Sequence, residues 1–270
     1  MTYFVLQILP YITIVIFTFG LLYRLGRWAG ARIVHNITLS PFPQNNTQAL
    51  TIVGTEVIFF RSLFSSDRAL WLGSWLMHIA LFNVIGGHLV GIYFLGKQFI
   101  YIGMSENLSE QMSALLGTTF GLIMFAGLLY LLYRRFAIPK VREVSFASDY
   151  LHLVLLLTIV VIGNIMRLWE HDFGITYAPV KDYVTHLVML KPVPAGHEVF
   201  TRPFFMLHLL FVQILLMIFP FSKLMHVLGM FAERWIINRP YRDPAPGLPN
   251  IDIAAARKAG LGLPSGEGEV

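Results

Sequence analysis

Five long apolar segments constrain what this chain can fold into. Each is long enough to cross about 30 Å of hydrocarbon at a helical rise of about 1.5 Å per residue. They run from Phe4 to Tyr23, Leu70 to Phe94, Ser113 to Tyr133, Tyr150 to Leu168 and Phe204 to Phe231. Because a spanning segment must satisfy its backbone hydrogen bonds internally, the sequence predicts an all-α membrane protein with a five-transmembrane-helix bundle.

The composition agrees with a membrane protein. Hydrophobic residues make up 56% of the 270 residues and charged residues 13%, whereas charged residues make up about 25% of soluble domains. Cysteine is absent, so these residues cannot hold a cysteine-ligated iron–sulfur cluster or a covalently attached c-type haem. The net charge of +5 comes from basic residues at the ends of apolar segments, so lipid is an expected partner and nucleic acid is not.

The basic residues also predict the orientation. With the amino terminus outside, 15 of the 20 basic residues lie in inner segments. These are Arg24, Arg27, Arg32, Arg61, Arg68, Arg134, Arg135, Lys140, Arg142, Lys223, Arg234, Arg239, Arg242, Arg257 and Lys258. The outer segments hold Lys97, Arg167, Lys181, Lys191 and Arg202. The positive-inside rule therefore predicts a cytoplasmic carboxyl terminus and a multi-pass location in the plasma or inner membrane.

Residues 1–231 are predicted to form one membrane domain, followed by an extended cytoplasmic tail over residues 232–270. After Arg239 the tail is rich in Pro and Gly, so we expect it to order against a partner. In the first inner loop, Ala49–Phe64 predicts an interfacial helix. The outer stretch Trp169–Arg202 reads as a long loop.

Four histidines lie in two of the predicted spans. His78 and His88 are in the second, and His208 and His226 are in the fifth. Because these spans run in opposite directions, His78 lies at the depth of His226 toward the cytoplasm, and His88 at the depth of His208 toward the outside. Ionisable residues inside spans are costly and tend to be functional. Two matched pairs predict the axial ligands of two haems, and bis-histidine coordination restricts such haems to electron transfer.

The spacing in the fifth span places both of its histidines on one face. His208 and His226 are 18 residues apart, which is about five turns and about 27 Å along the axis. Pro220 lies between them and is expected to bend the helix.

The spacing in the second span is less regular. His78 and His88 are 10 residues apart, which is about 15 Å along the axis and about 80° around an ideal helix. Gly86, Gly87 and Gly91 are expected to leave room for a macrocycle beside His88.

Other charged side chains are secondary candidates. Five arginines at suitable depths are predicted partners for the anionic haem propionates, with topology and lipid anchoring as the competing interpretation. They are Arg134, Arg135 and Arg142 inside and Arg167 and Arg202 outside. The remaining histidines are expected to be structural, as for His152 and His186, or solvated in loops, as for His35, His171 and His197.

Three stretches carry a resemblance to a known family. They are SWLMHIALFNVIGGH around His78 and His88, RRFAIPKVRE after the third span, and FFMLHLLFVQILLMIFPFSKLMH around His208 and His226. Over about Met1 to Phe231 the chain resembles the gamma subunit of respiratory nitrate reductase and its relatives. Among these relatives, it is most similar to the membrane cytochrome b of the Dsr complex linked to dissimilatory sulfite reductase.

The resemblance implies a di-haem b membrane subunit of a quinone-linked oxidoreductase complex. It implies that His78 with His226 and His88 with His208 ligate the haems, and that quinol or menaquinol reacts near the outer haem. It also implies that electrons pass to a cytoplasmic iron–sulfur subunit and that the complex has further subunits. Sulfur metabolism of the Dsr type is favoured over a nitrate reductase gamma role. The nitrate-reductase branch has a quinol-binding lysine before the third span, where this chain reads SENLSEQMS; Lys97 is a candidate substitute or an interfacial anchor.

A transporter or proton channel with a histidine relay is the alternative of another class. Such proteins carry polar residues along a path and often internal repeats. The predicted spans contain few Asp, Glu or Lys residues and no repeat, which favours the electron carrier.

Overall fold

The computed structural model describes residues 1–31 and 43–238, which are almost entirely helical. No strand occurs within these two ranges, which confirms the predicted all-α class. The α-helices there are α1 (Leu9–Ala29), α2 (Asn46–Phe59), α3 (Arg61–Ser66), α4 (Arg68–Phe94), α5 (Glu106–Ala137), α6 (Pro139–Glu143), α7 (Ala147–Leu168), α8 (Glu170–Phe173), α9 (Tyr177–Val188), α10 (Pro203–Ile218) and α11 (His226–Ile237).

Five helical segments of the described residues are long and apolar enough to cross a bilayer, as predicted. They are Phe4–Ala29, Arg68–Phe94, Glu106–Ala137, Ala147–Leu168 and Pro203–Phe221. The first four contain the predicted segments. The fifth is shorter than predicted, because it ends at Phe221 and not at Phe231.

Local signals fix where several spans begin. The side chain of Asp67 accepts a hydrogen bond from the Leu70 N–H at 2.8 Å, and that of Ser105 accepts one from the Leu108 N–H at 3.3 Å. Each bond satisfies an amide that has no partner within the helix. Pro203 opens α10, where its missing N–H costs nothing.

The chain divides into two compact units, the first formed by Met1–Leu25 and Leu63–Leu224. In this unit α4 packs against α5, α5 against α7, and α7 against α10. Buried apolar side chains fill the first two interfaces: Met77, Ala80, Met124, Leu128 and Val160. Gly127 permits the close approach of α4, because a Cβ there would lie 2.7 Å from the Cβ of Met77.

The first span opens with a π-helical segment, Phe4–Ile8, continuous with α1. This wider winding departs from the α-helical hydrogen-bond pattern, and two of its carbonyls accept side-chain hydrogen bonds. Gln213 Nε2 donates to the Val5 carbonyl at 3.1 Å, and the Tyr183 hydroxyl donates to the Leu6 carbonyl at 2.7 Å. No water is at hand in hydrocarbon to satisfy backbone groups, so these side chains hold the first span in place.

The predicted outer loop contains regular structure. Its α9 helix packs against α4, and the buried Tyr183 packs edge-to-face on Phe205 at a centroid distance of 5.8 Å. Pro179 lies in the first turn of α9, where proline is compatible with a helix. Residues 169–202 therefore form a folded cap on this unit.

The helix that carries His208 does not continue to His226. Helix α10 ends at Ile218, two short 3-10 turns follow, and α11 begins at His226. Pro220 is buried, and a Cβ on Gly20 would lie 2.9 Å from its Cβ. Proline removes a hydrogen bond and clashes with the preceding turn. The prediction of one five-turn helix face for His208 and His226 is therefore wrong.

The second unit comprises Gly26–Ser62 and Met225–Val270. Within it α2 packs against α11, and the Arg234 guanidinium lies 3.9 Å from the Glu56 carboxylate. The predicted helix over residues 49–64 is present but interrupted, because Phe60 adopts a left-handed conformation with φ 49°. Its interfacial position stays a prediction. Helix α11 crosses the predicted boundary at residue 231, and the tail beyond Asn238 lies outside the described residues.

Candidate functional site

Two of the four predicted ligands face each other across the bundle. The imidazole rings of His88 on α4 and His208 on α10 have centroids 6.2 Å apart and planes inclined by 8°. The two side chains are 120 residues apart in sequence, so only the packing of the helices brings them together. The structure thus joins the pair that was predicted from depth.

Hydrogen bonds orient both rings. His88 Nδ1 lies 2.6 Å from the Val84 carbonyl oxygen on its own helix, and His208 Nδ1 lies 3.1 Å from the Ile159 carbonyl oxygen on α7. A carbonyl accepts, so Nδ1 carries the proton in each ring and Nε2 carries the lone pair. This tautomer is the usual arrangement for a metal-ligating histidine.

Gly163 makes room for the His208 ring. A Cβ at this position would lie 3.2 Å from His208 Cε1 and 3.6 Å from its Nδ1. Gly163 is one turn after Ile159, the residue that accepts the His208 hydrogen bond. A bulkier residue at position 163 would therefore displace the ring from its acceptor.

The spacing of the two rings fits a shared metal ion. Two imidazoles on opposite sides of one metal place their centroids about 6.2–6.4 Å apart, since each metal–nitrogen bond is about 2.0–2.1 Å and each nitrogen lies about 1.1 Å from its ring centre. The backbone beside His88 is also open, because a Cβ on Gly86 or Gly87 would meet nothing within 4 Å. These residues suit a haem with two histidine ligands.

One expected opening beside His88 is filled. A Cβ on Gly91 would lie 3.1 Å from Tyr177 Cε1, so the phenol ring of α9 occupies the space one turn beyond His88. Tyr177 also lies close to Gly96, at 3.2 Å by the same measure. Gly91 therefore serves the packing of α9, and the expectation that it makes room for a macrocycle is wrong.

The other predicted pair is built differently. His78 lies in the middle of α4, and its Nδ1 is 2.8 Å from the Ser74 carbonyl oxygen. His226 is the first residue of α11 and belongs to the second unit. The pairing of His78 with His226 stays a prediction from sequence.

The predicted inner arginines bind protein groups. Arg134 donates to Asp67 at 2.7 Å, and Arg135 lies 3.8 Å from Asp149 and donates to a serine hydroxyl. Arg142 is exposed. Their predicted contact with haem propionates stays untested, and for the first two it would compete with these interactions.

The predicted outer arginines form local ion pairs. Arg167 lies 3.3 Å from Glu170, and Arg202 donates from two nitrogens to one oxygen of Glu198 at 2.7 and 3.0 Å. Both pairs join residues three or four positions apart, so they stabilise the cap of residues 169–202 locally. Their role toward propionates also stays a prediction.

Two histidines of the cap formed by residues 169–202 share one carboxylate. His197 Nε2 lies 3.1 Å from Asp182 Oδ2, and His186 Nδ1 lies 3.0 Å from the Asp182 carbonyl and 3.7 Å from Oδ2. The His197 side chain is only 9% exposed. The expectation of a solvated His197 is therefore wrong, because α9 folds back over the turn that carries it.

The remaining histidines follow expectation where the structure describes them. His171 is fully exposed beside Asp172, and His152 is partly buried in α7. His35 lies outside the described residues.

Comparison with known proteins assigns the family. The sequence model of the nitrate reductase gamma subunit family matches residues 60–242, which include all four candidate ligands. The chain belongs to the nitrate reductase gamma subunit family. It is 28% identical over 262 residues to the Hdr-like menaquinol oxidoreductase cytochrome b-like subunit of Archaeoglobus fulgidus, covering 83% of this chain and 76% of that protein. It is 27% identical to the nitrate reductase gamma chain of Bacillus subtilis over 225 residues, covering 83% and 89%.

Lys97, the candidate quinol lysine, forms an ion pair in the connection between α4 and α5. Its ammonium group hydrogen-bonds Glu106 and lies 3.8 Å from Glu110. The hydrogen bond that Lys97 donates to the Glu106 carboxylate raises the pKa of Lys97. The acidic stretch that departs from the nitrate-reductase pattern thus neutralises this lysine, which supports its anchoring interpretation.

Sequence reasoning missed the residues that pack around the candidate ligands. Gly163 and Ile159 lie in another helix than His208, and Tyr177 lies in another helix than Gly91, against which it packs. No short motif therefore marks them. Tyr183 was missed as well, and burial raises its pKa by disfavouring the charged phenolate.

Proposed function

We propose that this chain is a di-haem b subunit that carries electrons across the membrane between quinol and a cytoplasmic iron–sulfur subunit. His88 and His208 hold the haem nearer the outside, and His78 and His226 hold the haem nearer the cytoplasm. Quinol is the electron donor or product at the outer end. A role in Dsr-type sulfur metabolism is the favoured setting, and a nitrate reductase gamma role is the alternative.

The arrangement of His88 and His208 carries this proposal. Their near-parallel rings, 6.2 Å between centroids, would allow both to bind one haem iron. Gly163 provides the space for one ring. A histidine pair stabilised by simple packing would not need this spacing, this alignment and a hydrogen bond that leaves Nε2 as the acceptor.

The protein's contribution to the reaction is positioning and insulation. The Val84 and Ile159 carbonyls hold the Nδ1 protons and keep both rings in place. The apolar spans exclude water from the electron path. A bound haem with two imidazole ligands supplies one-electron transfer and has no open position for oxygen.

The exit of electrons through a partner is inferred from chemistry. The chain has no cysteine, so cysteine-ligated iron–sulfur centres must come from another polypeptide. The relative in Archaeoglobus fulgidus is a subunit of an enzyme named for menaquinol, which supports menaquinol as a substrate. The bias of basic residues supports a cytoplasmic exit.

The test is a visible spectrum with haem quantification of the purified protein. We expect two b-type haems per chain, reduced when menaquinol or a quinol analogue is added. The variants His78→Ala, His88→Ala, His208→Ala and His226→Ala should each lose one haem, while the control His152→Ala retains both. A His88→Ala variant with both haems and unchanged spectra would contradict the assignment.

Partner docking is tested by truncation after Asn238. This end point preserves α11 and the contact between Arg234 and Glu56. We expect the truncated protein to retain both haems and to lose the iron–sulfur subunit on purification from its native membrane. Retention of that subunit with full quinol-dependent turnover would assign docking to the inner loops.

The proton-channel alternative predicts that the visible spectrum of the purified protein shows no haem. A histidine relay requires successive hydrogen-bonded groups, whereas Nδ1 of His88 and of His208 is directed at a backbone carbonyl. Absence of haem from the purified native protein would favour the channel.

A further inference from the structure

Part of the cap formed by residues 169–202 packs deep against the first span. Its α9 helix ends at Val188, and a turn over residues 189–192 follows. The Tyr11 hydroxyl of the first span donates to the Leu187 carbonyl, at the end of α9, at 3.1 Å. The depth of Tyr11 in the bilayer therefore sets the depth of this turn.

The fifth spanning segment gives a scale for this depth. Arg202 precedes the segment and Lys223 follows it, so Gln213 lies near its middle, 10 or 11 residues from either charge. Charged side chains belong at the ends of spans, which places Gln213 about 15 Å from either membrane boundary. Gln213 Nε2 donates to the Val5 carbonyl at 3.1 Å, and the Thr13 hydroxyl donates to Gln213 Oε1 at 3.5 Å. The part of the first span between these two contacts thus lies inside the hydrocarbon.

Helix α9 runs from the membrane boundary down to this part of the first span. At the boundary, Lys181 Nζ donates to the carbonyl of Tyr93, close to the end of α4, at 2.8 Å. Leu187 follows Lys181 by six residues, which is about 9 Å along a helix. Tyr11 lies between the two contacts that Gln213 makes, so its bond to Leu187 is made inside the hydrocarbon. Helix α9 therefore descends into the bilayer.

The chain then returns to the same side of the membrane. The Val193 N–H donates to Gln7 Oε1 at 2.8 Å, about one turn before Tyr11 in the first span. His197 Nε2 lies 3.1 Å from the carboxylate of Asp182, which is next to the residue at the membrane boundary. The fifth span begins a few residues later. The path from α9 to the fifth span thus enters and leaves the bilayer through one face.

The turn has the backbone hydrogen bonds that hydrocarbon requires. An N–H group without a partner is strongly unfavourable there. The N–H groups of Met189, Leu190 and Lys191 donate to carbonyls of α9 at 2.9 to 3.1 Å, and Leu190 adopts the left-handed conformation that commonly ends a helix. Pro192 has no N–H, and Val193 donates to the first span. Every N–H group of the turn is therefore satisfied or absent.

The same turn exposes apolar side chains. Val188 and Leu190 are each 77% exposed and Met189 is 58% exposed, whereas the opposite face of α9 packs into an apolar core. Ile12, next to Tyr11 in the first span, is exposed as well. At this depth an exposed side chain meets acyl chains and not water. The exposed turn is thus continuous with the lipid-facing surface of the first span.

We propose that α9 and the turn after it form a re-entrant membrane element, in which Val188, Met189 and Leu190 contact lipid acyl chains. Lys191 follows the turn, and its long side chain extends along the apolar surface to the lipid head groups. The position of this element is independent of the haem assignment, because it follows from contacts within the protein alone.

The experiment uses the full-length protein in phosphatidylcholine vesicles. The chain has no cysteine, so Val188→Cys and Leu190→Cys each provide one site for a nitroxide spin label. Electron paramagnetic resonance measures how often the label collides with oxygen, which concentrates in hydrocarbon, and with a water-soluble nickel chelate. We expect frequent collision with oxygen and rare collision with nickel at both sites, a ratio several-fold higher than for a label in water.

Two labelled controls bracket this result. Val15→Cys carries the label on an exposed position of the first span, and His171→Cys carries it on a fully exposed side chain of the same cap. Labels at positions 188 and 190 should behave as the label at position 15 does. Frequent collision with nickel, as expected at position 171, would place the turn in water and overturn the proposal. Rare collision with both reagents would show that protein covers the turn and would also overturn it.

A second measurement needs no label. Val188→Asp places a charge among acyl chains, so its thermal midpoint in vesicles should be lower than that of the wild type. His171→Asp, in the same cap but in water, should leave the midpoint unchanged. An unchanged midpoint for Val188→Asp would contradict the contact with lipid.

Discussion

The two histidine pairs are held by different means. His88 and His208 both lie within long helices of one compact unit, where helix packing aligns their rings. His78 also lies within a long helix, but His226 begins a new helix after a double turn. Rigid helices thus align His88 with His208, whereas a short connection, whose Lys223 is paired with Asp149, precedes His226.

This difference has a consequence for robustness. Packed helices resist local displacement, because their side chains interdigitate at high density. A turn of a few residues moves with each anchor that is lost. We expect changes at single contacts to perturb the connection before His226, and changes of volume in the helix interfaces to perturb the alignment of His88 with His208.

The largest effect is expected from Gly163→Leu. The new side chain would occupy the space of the His208 ring, which lies 3.2 Å from the Cβ position. We expect loss of the His88–His208 haem with retention of the other, measured by haem content and resonance signals. Gly117→Leu is the control, because a Cβ there would meet nothing within 4 Å. Retention of both haems in the Gly163 variant would refute the preformed site.

Gly20→Val is expected to have a smaller effect, and on the other haem. A Cβ at Gly20 would lie 2.8 Å from Phe221 and 2.9 Å from Pro220, in the turn that leads to His226. Overpacking of this kind costs about 1–3 kcal/mol. Partial loss of the His226 haem alone is expected in haem titrations. Gly26→Val is the control, because a Cβ at this position on the same helix would contact nothing within 4 Å. Equal haem loss in the two variants would show that contact with the turn is not the cause.

Tyr183→Phe should destabilise the first unit without affecting either ligand. It leaves the Leu6 carbonyl without its 2.7 Å hydrogen bond in a buried place, a loss worth about 1–3 kcal/mol. The expected result is a lower thermal midpoint in detergent with unchanged haem spectra. Tyr11→Phe, which removes a partly buried bond to the Leu187 carbonyl, should cost less. A larger cost for Tyr11→Phe would show that burial is not the deciding factor.

The smallest expected effect is the contribution of the Asp67 carboxylate to the pH dependence of stability. The Leu70 N–H, and then Arg134, hold the pKa of the Asp67 carboxyl below its ordinary value of 3.8. A lowered pKa stabilises the folded state above the ordinary value, and this stabilisation is lost as pH falls through the lowered one. Asp67→Asn keeps the capping oxygen and removes the charge. The thermal midpoints of the variant and the wild type should differ at neutral pH and converge in acid. A difference that is constant with pH would show that the charge of Asp67 does not contribute to stability.

Local sequence features predicted much of the fold. Apolar length identified every span that the structure describes, because a helix in hydrocarbon satisfies its own backbone wherever it occurs. Pro220 signalled a disturbance in the fifth span, but counting turns from His208 to His226 assumed that the helix continued. The anchoring of the turn by Gly20 and Asp149 lies far away in sequence, so spacing could not reveal it.

The loop histidines illustrate the same limit. His197 was expected in solvent because its neighbours are polar and Pro-rich. Its burial beside Asp182 follows from the position of α9, which is set by Tyr183 and by Tyr177 against Gly91. Such contacts depend on the packing of several elements and have no local signature.

The sequence by itself determined the approximate spans and the chemistry that the four histidines can offer, because these follow from composition, helical rise and side-chain type. The tertiary structure decided that His88 and His208 meet at 6.2 Å, that Gly163 admits the ring, and that Lys223 is tied to Asp149. These features require side chains from separate helices to share one small volume. Only the packing of the whole bundle fixes such distances.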